Sequence, residues 1–434
     1  MHKEKHIAIG RNRDELGLAY NLSYSVAGQL WYVLTQMCVL SALARFKGPE
    51  AVGEFGLAMA ITTPVFMLAN MGIRTGQATD VHGFFSFSEY AGLVLLTAAI
   101  AALTSIGIGY ALSASHITFL IVLIFSITKA FEAISNLSYG AFQQAGRMDK
   151  VARSLAIRGL LTVSAFVALL SLGVETGVAF LAQLTVWAAL SLAYDYPRAC
   201  RIATGLWCWP SWQWERLLRL AREIGPIGVG HFMNSLLVSM PRMAVERWLG
   251  LEALGLLTVV TYFQQAGTLV VNAASQTLVN YFARLKRDGE TKAIRTTLLA
   301  LFGAAVLVSA GSIAVTYFAG EQILANLFGV EFTRANDLLM LIALAISVKV
   351  FAMLPQSLMH SDRRFKAYFR YQAASLALCI VLLAILVPLW GLLGAGSAIL
   401  ATAVFRMCVL TVAVAIWPRN STSKVASPAA PRAA

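Results

Sequence analysis

Arg45-Phe46-Lys47-Gly48-Pro49-Glu50-Ala51-Val52-Gly53 and Arg247-Trp248-Leu249-Gly250-Leu251-Glu252-Ala253-Leu254-Gly255 decide the reading of this chain. Arg, Gly, Glu, Ala and Gly recur in register, and each stretch joins two long apolar runs. A turn of one pattern used twice makes the chain a tandem repeat. Farther out, Lys129-Ala130-Phe131 lies in the apolar segment that begins near His116, and Lys349-Val350-Phe351 in the one that begins near Asn336. Each lysine is about 20 Å into its segment at helical rise. The loops that follow agree more loosely, Arg147 and Lys150 against Arg363 and Lys366.

The 434 residues are 58% hydrophobic and 13% charged, with mean hydropathy +0.70. A soluble domain carries about 25% charged residues, and about 20 apolar residues cross a bilayer. The runs predict an all-α, polytopic membrane protein of about twelve spans: 17–44, 52–73, 87–112, 117–143, 152–173, 176–197, 223–247, 252–279, 294–318, 336–358, 370–389 and 391–416. The first run is too long for a signal-peptide core, so span one is expected to stay. An even number of spans per half gives both halves the same orientation, a parallel repeat about an axis along the membrane normal. The expected organisation is a cytoplasmic segment 1–16, a six-helix bundle 17–197, a basic Trp-rich linker 198–222, a second bundle 223–416 and a disordered tail 417–434, with a cavity between the bundles.

Net charge is +13, but its distribution is a topology signal and not a nucleic-acid signal. With the N-terminus in the cytoplasm, Arg45, Lys47, Arg247 and Arg334 fall outside, and Lys129, Arg242, Lys349 and Arg406 fall within spans. Every other Lys and Arg, Arg158 among them, is assigned to the inward side, the bias that orients membrane proteins. Both termini are then cytoplasmic. Cys38, Cys200, Cys208, Cys379 and Cys408 have no metal-type spacing and are expected to be reduced. There is no P-loop, and His231 and His360 are isolated, so no cofactor or metal is expected.

The four cations within spans carry the functional signal, because an ion at that depth costs on the order of 2.5–3.5 kcal/mol by insertion scales. Lys129 has Glu132 on the same helix face, and two readings are open: a self-neutralising pair, or part of a cationic site in which Glu132 exchanges a proton. Lys349 has no acid within a turn, since Ala352 stands where Glu132 stands in the first half. Arg406 is likewise alone among Thr402, Phe405, Met407 and Leu410. Arg242 has Glu246 four residues on, and an outer surface salt bridge and a functional role are both open. The surplus is about two or three positive charges, which must meet water or a counter-ion. That predicts a wet, positive cavity and an anionic ligand, lysine and arginine being natural phosphate donors. Arg74, at the cytoplasmic end of span two, is read either as a topology residue or as a guide for the anion.

Trp207, Trp209, Trp212 and Trp214 in the linker predict an amphipathic interfacial helix or a lipid-binding one. The stretch 319–335 is expected to form a short surface helix. Pro64, Pro226, Pro241 and Pro355 interrupt spans, and span seven, with Gly225, Gly228 and Gly230 around Pro226, is the candidate bending element.

Gly48-Pro49-Glu50-Ala51-Val52-Gly53-Glu54-Phe55-Gly56, followed by Leu68-Ala69-Asn70-Met71-Gly72-Ile73-Arg74, resembles the start of a Wzx-type polysaccharide flippase. So does Phe131-Glu132-Ala133 leading through Gln143-Gln144-Ala145-Gly146-Arg147-Met148-Asp149 to Ala152-Arg153-Ser154. These proteins belong to the multidrug/oligosaccharidyl-lipid/polysaccharide exporter (MOP) superfamily. The likeness runs from about residue 17 to 416 and is stronger in the first half. It implies two V-shaped bundles in a bacterial inner membrane and a cationic central cavity. It also implies outward flipping of undecaprenyl-pyrophosphate-linked glycan. By their charge, rather than by a position-by-position match to the family, Lys129, Lys349, Arg406, Arg242 and Arg74 are the candidate substrate contacts. Membrane lipid, a polysaccharide polymerase and assembly proteins are the expected partners. The rivals are a multidrug-type cation antiporter, which wants acids where this chain has bases, and a membrane polymerase or glycosyltransferase, which wants carboxylates on a large outward loop.

Overall fold

The computed structural model describes residues 17–80, 83–112, 115–287, 291–361 and 365–415, so the expectations for segment 1–16 and tail 417–434 lie outside the described residues. In hydrocarbon every backbone N–H and C=O must find its partner within the segment, which leaves helices as the outcome for long apolar runs. Among the described residues there is no strand. The helices are α1 (Leu18–Ala69), α2 (Ile73–Thr79), α3 (Phe87–Leu112), α4 (His116–Gln144), α5 (Met148–Ser171), α6 (Thr176–Ala189), a π-helical turn (Leu190–Asp195), α7 (Tyr196–Thr204), α8 (Trp214–Arg287), α9 (Thr291–Phe328), a 3-10 turn (Val330–Ala335), α10 (Asn336–Ser361) and α11 (Phe365–Ala415).

Eight helical stretches among the described residues are long and apolar enough to cross a membrane. Three of the longest helices are broken by a glycine in a conformation closed to other residues: Gly48 in α1 (φ 79, ψ −175), Gly250 in α8 (φ 85, ψ −176) and Gly391 in α11 (φ 58, ψ −133). The expected segments 17–44 and 52–73, 223–247 and 252–279, and 370–389 and 391–416 lie on either side of these breaks. Gly48 and Gly250 occupy the same place in the two repeat motifs and have nearly the same backbone.

The two motifs also meet. A β-carbon on Gly53 would overlap the Leu251 carbonyl oxygen, and one on Gly255 would overlap the Pro49 carbonyl oxygen. The contact is reciprocal: the glycine of each motif seats the carbonyl that follows the turn glycine of the other. Gly56 against Thr258 and Met59 against the Tyr262 hydroxyl (3.2 Å) continue this seam. Ser41 and Arg45 donate to the carbonyls of Leu327 and Asn326 at the C-terminal end of α9, where unpaired carbonyls favour a cation. At the opposite end of α1 the chain bends through Met71 (φ 46) and Gly72 (φ 66). There Gly72 and Gly76 pack on Ile227 and Ile224, and Gly228 on the Met71 backbone. The halves therefore touch at both ends of α1's second segment.

The core of the first half is aromatic. Phe180 meets Phe125 and Phe166 edge-on at 5.2 Å and stacks on Phe55 at 5.9 Å.

Two sequence expectations need correction. The stretch 319–335 is not a surface helix: α9 runs through Phe328, and Leu324, Phe328 and Phe332 are buried, their apolar face drawn into the core. The linker 198–222 is not one helix. α7 ends at Gly205 (φ 78), and Trp207, Trp209 and Trp212 lie in a non-helical stretch before α8. That stretch is held by Ser211 N–H to Ser88 O (2.8 Å), Tyr196 Oη to Cys208 O (2.9 Å), and Arg216 paired with Glu89.

Candidate functional site

Each cation has its own set of contacts. Lys129 on α4 pairs with Glu132, Nζ to Oε2 2.6 Å, both partly exposed. The sequence placed these charges one helical turn apart, and the structure closes the pair. Lys349 on α10 and Arg406 on α11 lie near enough for their charges to repel. Arg406 Nε donates to Tyr371 Oη at 2.6 Å, and its guanidinium lies 5.3 Å from the Tyr371 ring centre. Beside them, Ala352, Tyr371 and Leu410 form a small buried cluster. Among the described residues no acid forms an ion pair with Lys349 or Arg406. Two cations on adjoining helices, one of them bonded to a phenol, are a costly arrangement in low dielectric unless a counter-charge or water meets them.

Arg242 is not on the surface, and no ion pair to Glu246 is present among the described residues. It is 2% exposed, and Nη2 donates to Thr261 Oγ1 at 3.0 Å. The fold at Gly250 brings the second segment of α8 back against the first and buries the side chain. Arg74 is not on a loop: α2 carries it, its Nε donates to Gln143 Oε1 at 3.0 Å, and it lies 5.9 Å from the Tyr139 ring centre. The bend at Met71 and Gly72 turns it against α4.

Sequence reasoning missed the most buried ion pair among the described residues. Arg158 on α5 and Asp195 in the π-helical turn pair at 2.8 Å, 1% and 0% exposed. Arg158 Nη2 also donates to Ser135 Oγ (2.7 Å), and its guanidinium lies 4.3 Å from the Trp187 ring centre. Ser135 and Ser191 share a hydrogen bond at 2.7 Å, and Tyr139 and Ser154 share one at 2.8 Å. Assigning Arg158 to the inward loop was the error. Its place inside an apolar span, with Asp195 inside another, was the available signal. The pair makes α4, α5 and the π turn one polar unit, and it adds an anion to the intramembrane charge.

No protein-family model matches the chain. The chain is similar to the capsular polysaccharide biosynthesis protein CapF of Staphylococcus aureus, 21% identical over 383 residues, covering 87% of this chain and 94% of that protein. It superposes on the lipid II flippase MurJ in its inward closed conformation with TM-score 0.72 at 13% identity, covering 91% of this chain and 88% of that one. An inward-facing multidrug resistance transporter of the MATE family and MOP superfamily gives TM-score 0.66 at 13% identity, covering 93% and 95%. The fold is the one seen in MOP-superfamily membrane transporters, as the sequence resemblance implied, and its apolar helices make the chain a multi-pass membrane protein.

Proposed function

We propose that this chain flips an undecaprenyl-pyrophosphate-linked oligosaccharide from the inner to the outer leaflet of a bacterial inner membrane, for surface polysaccharide of the capsular or O-antigen and lipopolysaccharide kind. The observation that carries this reading is the neighbouring Lys349 and Arg406 within apolar helices, with no acid ion-paired to either among the described residues and Arg406 bonded to Tyr371. A pyrophosphate supplies charges that match two cations, and arginine binds it through a forked donor set. Lys129 belongs to the same path on this reading, with Glu132 holding it until the anion arrives. Arg74 stands at its entrance, and Arg242 supports the seam. The breaks at Gly48, Gly250 and Gly391 support a count of twelve crossings in two six-helix bundles, and the Lys and Arg bias supports cytoplasmic termini. A polysaccharide polymerase and assembly proteins are the partners such a product calls for.

No bond is made or broken. Alternating access needs the seam at Gly53 and Gly255 and the seam at Gly228 to open in turn. A potential negative inside drives an anion outward by about 2.3 kcal/mol per charge per 100 mV of field crossed. The test is Lys349→Ala and Lys349→Arg in the native host, with surface polysaccharide and membrane insertion measured together. Loss of export by the alanine variant at normal insertion, with partial retention by the arginine variant, supports the reading. Normal export by Lys349→Ala removes it.

A further inference from the structure

The flank of the first half that faces away from the Arg158–Asp195 pair carries an open groove of about 580 Å³. Leu161, Val186, Ala189, Leu190 and Ala193 line it, and Arg198 and Tyr194 close one end. The helix has two faces here: Trp187, Ser191 and Asp195 are buried in the bundle, while Thr185, Ala189 and Ala193 are exposed on the other side. The π turn widens the helix by an added residue, and alanine at 189 and 193 puts little side chain into the space beside it.

The closed end is cationic. Arg198 Nη1 donates to Tyr194 O (3.2 Å), and the guanidinium lies 3.6 Å from the Tyr194 ring centre. A guanidinium has five N–H donors, so this bond leaves most of them for a ligand. Lys150 lies near enough to Arg147, Arg153 and Arg198 for the charges to interact, and the neighbouring acid, Asp149, is taken by Arg147 at 2.9 and 3.1 Å. Among the described residues no acid pairs with Arg198. Depth is marked by the linker: Trp207 meets Tyr196 at 5.6 Å and Trp209 at 6.3 Å. Exposed tryptophans of this kind sit at the headgroup level. From Arg198 back to Thr185 is about 20 Å at helical rise, enough to cross one leaflet of a hydrocarbon core about 30 Å thick.

We propose that this groove binds one anionic phospholipid of the leaflet at the Arg198 end. An acyl chain lies along Ala193, Ala189 and Val186, and the phosphate sits on Arg198 with Lys150 and Arg153 beside it. The site is separate from Lys349 and Arg406, and neither α10 nor α11 contributes to it. Charge complementarity selects an anionic over a zwitterionic lipid. An apolar groove of leaflet length selects a lipid over a free phosphate.

Native mass spectrometry of the full-length protein tests this with phosphatidylglycerol, phosphatidylcholine of the same chains, and undecaprenyl phosphate. Phosphatidylglycerol is expected to bind about tenfold more tightly than phosphatidylcholine, and Arg198→Gln to abolish that preference. Ala193→Trp fills the groove with the charges intact and is expected to lower retention of phosphatidylglycerol by a similar factor. The two variants change different chemistry, so if one fails to fold the other decides. Equal binding of the two phospholipids, or unchanged phosphatidylglycerol retention in a folded variant, overturns the proposal. So does undecaprenyl phosphate displacing phosphatidylglycerol from the wild-type groove, which makes the flank a site for the polyprenyl tail.

Discussion

Breaking the Arg158–Asp195 pair from one side is expected to be among the most destabilising changes in the first half. The ions are 2.8 Å apart and essentially inaccessible, so removing one leaves the other charged and without water. Such single truncations cost about 3–5 kcal/mol in buried pairs, roughly a hundredfold or more in the folded-to-unfolded ratio. Asp195→Leu leaves a cation whose remaining partners are Ser135 and the Trp187 face. Arg158→Leu leaves a carboxylate with hydroxyls only. The double variant removes both desolvated charges. It forfeits the hydrogen bonds to neighbouring hydroxyls and a cation–π contact, together about 1–3 kcal/mol. The two sites are therefore expected to couple by at least about 3 kcal/mol, the double variant being more stable than either single. Equilibrium unfolding of the purified protein in mixed micelles, titrated with a denaturing detergent, measures all four corners of the cycle. Single variants within about 0.5 kcal/mol of wild type, or effects that simply add, refute the reasoning.

Three further outcomes are expected. Gly255→Val inserts a side chain onto the Pro49 carbonyl, a backbone contact that cannot swing aside; the seam should be opened at a cost of about 1–3 kcal/mol, read as faster labelling of a cysteine at position 59 by an impermeant reagent. Unchanged labelling argues against a closed seam there. Gly228→Leu meets the Met71 backbone at 2.6 Å and should open the other end, raising the labelling of a cysteine at position 224 from the opposite side of the membrane. Equal labelling of the variant and its parent contradicts this. Tyr371→Phe keeps the ring under Arg406 but removes its 2.6 Å acceptor, a hydrogen bond to a charged group worth about 1.5–3 kcal/mol; export should fall about tenfold while the protein level holds. A Tyr371→Ala variant that exports no worse than Tyr371→Phe would show that the ring contributes nothing.

The sequence by itself determined that this is an all-helical membrane protein, because apolar runs of bilayer length leave the backbone no other partner than itself. The motif pair at Gly48 and Gly250 and the lysine pair at 129 and 349 were legible for the same reason: they are local, and a helix converts spacing into depth. The Lys129–Glu132 bond was legible too, since residues three apart share a helix face. Only the tertiary structure decided what lies between helices. It buried Arg242 against Thr261, far from the salt bridge its neighbour suggested. It seated Gly53 and Gly255 on each other's turns, and it carried Phe328 and Phe332 from an expected surface helix into the core. It also joined Arg158 to Asp195 across two spans. A charge buried in a membrane is tolerated only beside its partner, and which partner that is depends on how helices pack, a relation that periodicity along one chain does not carry.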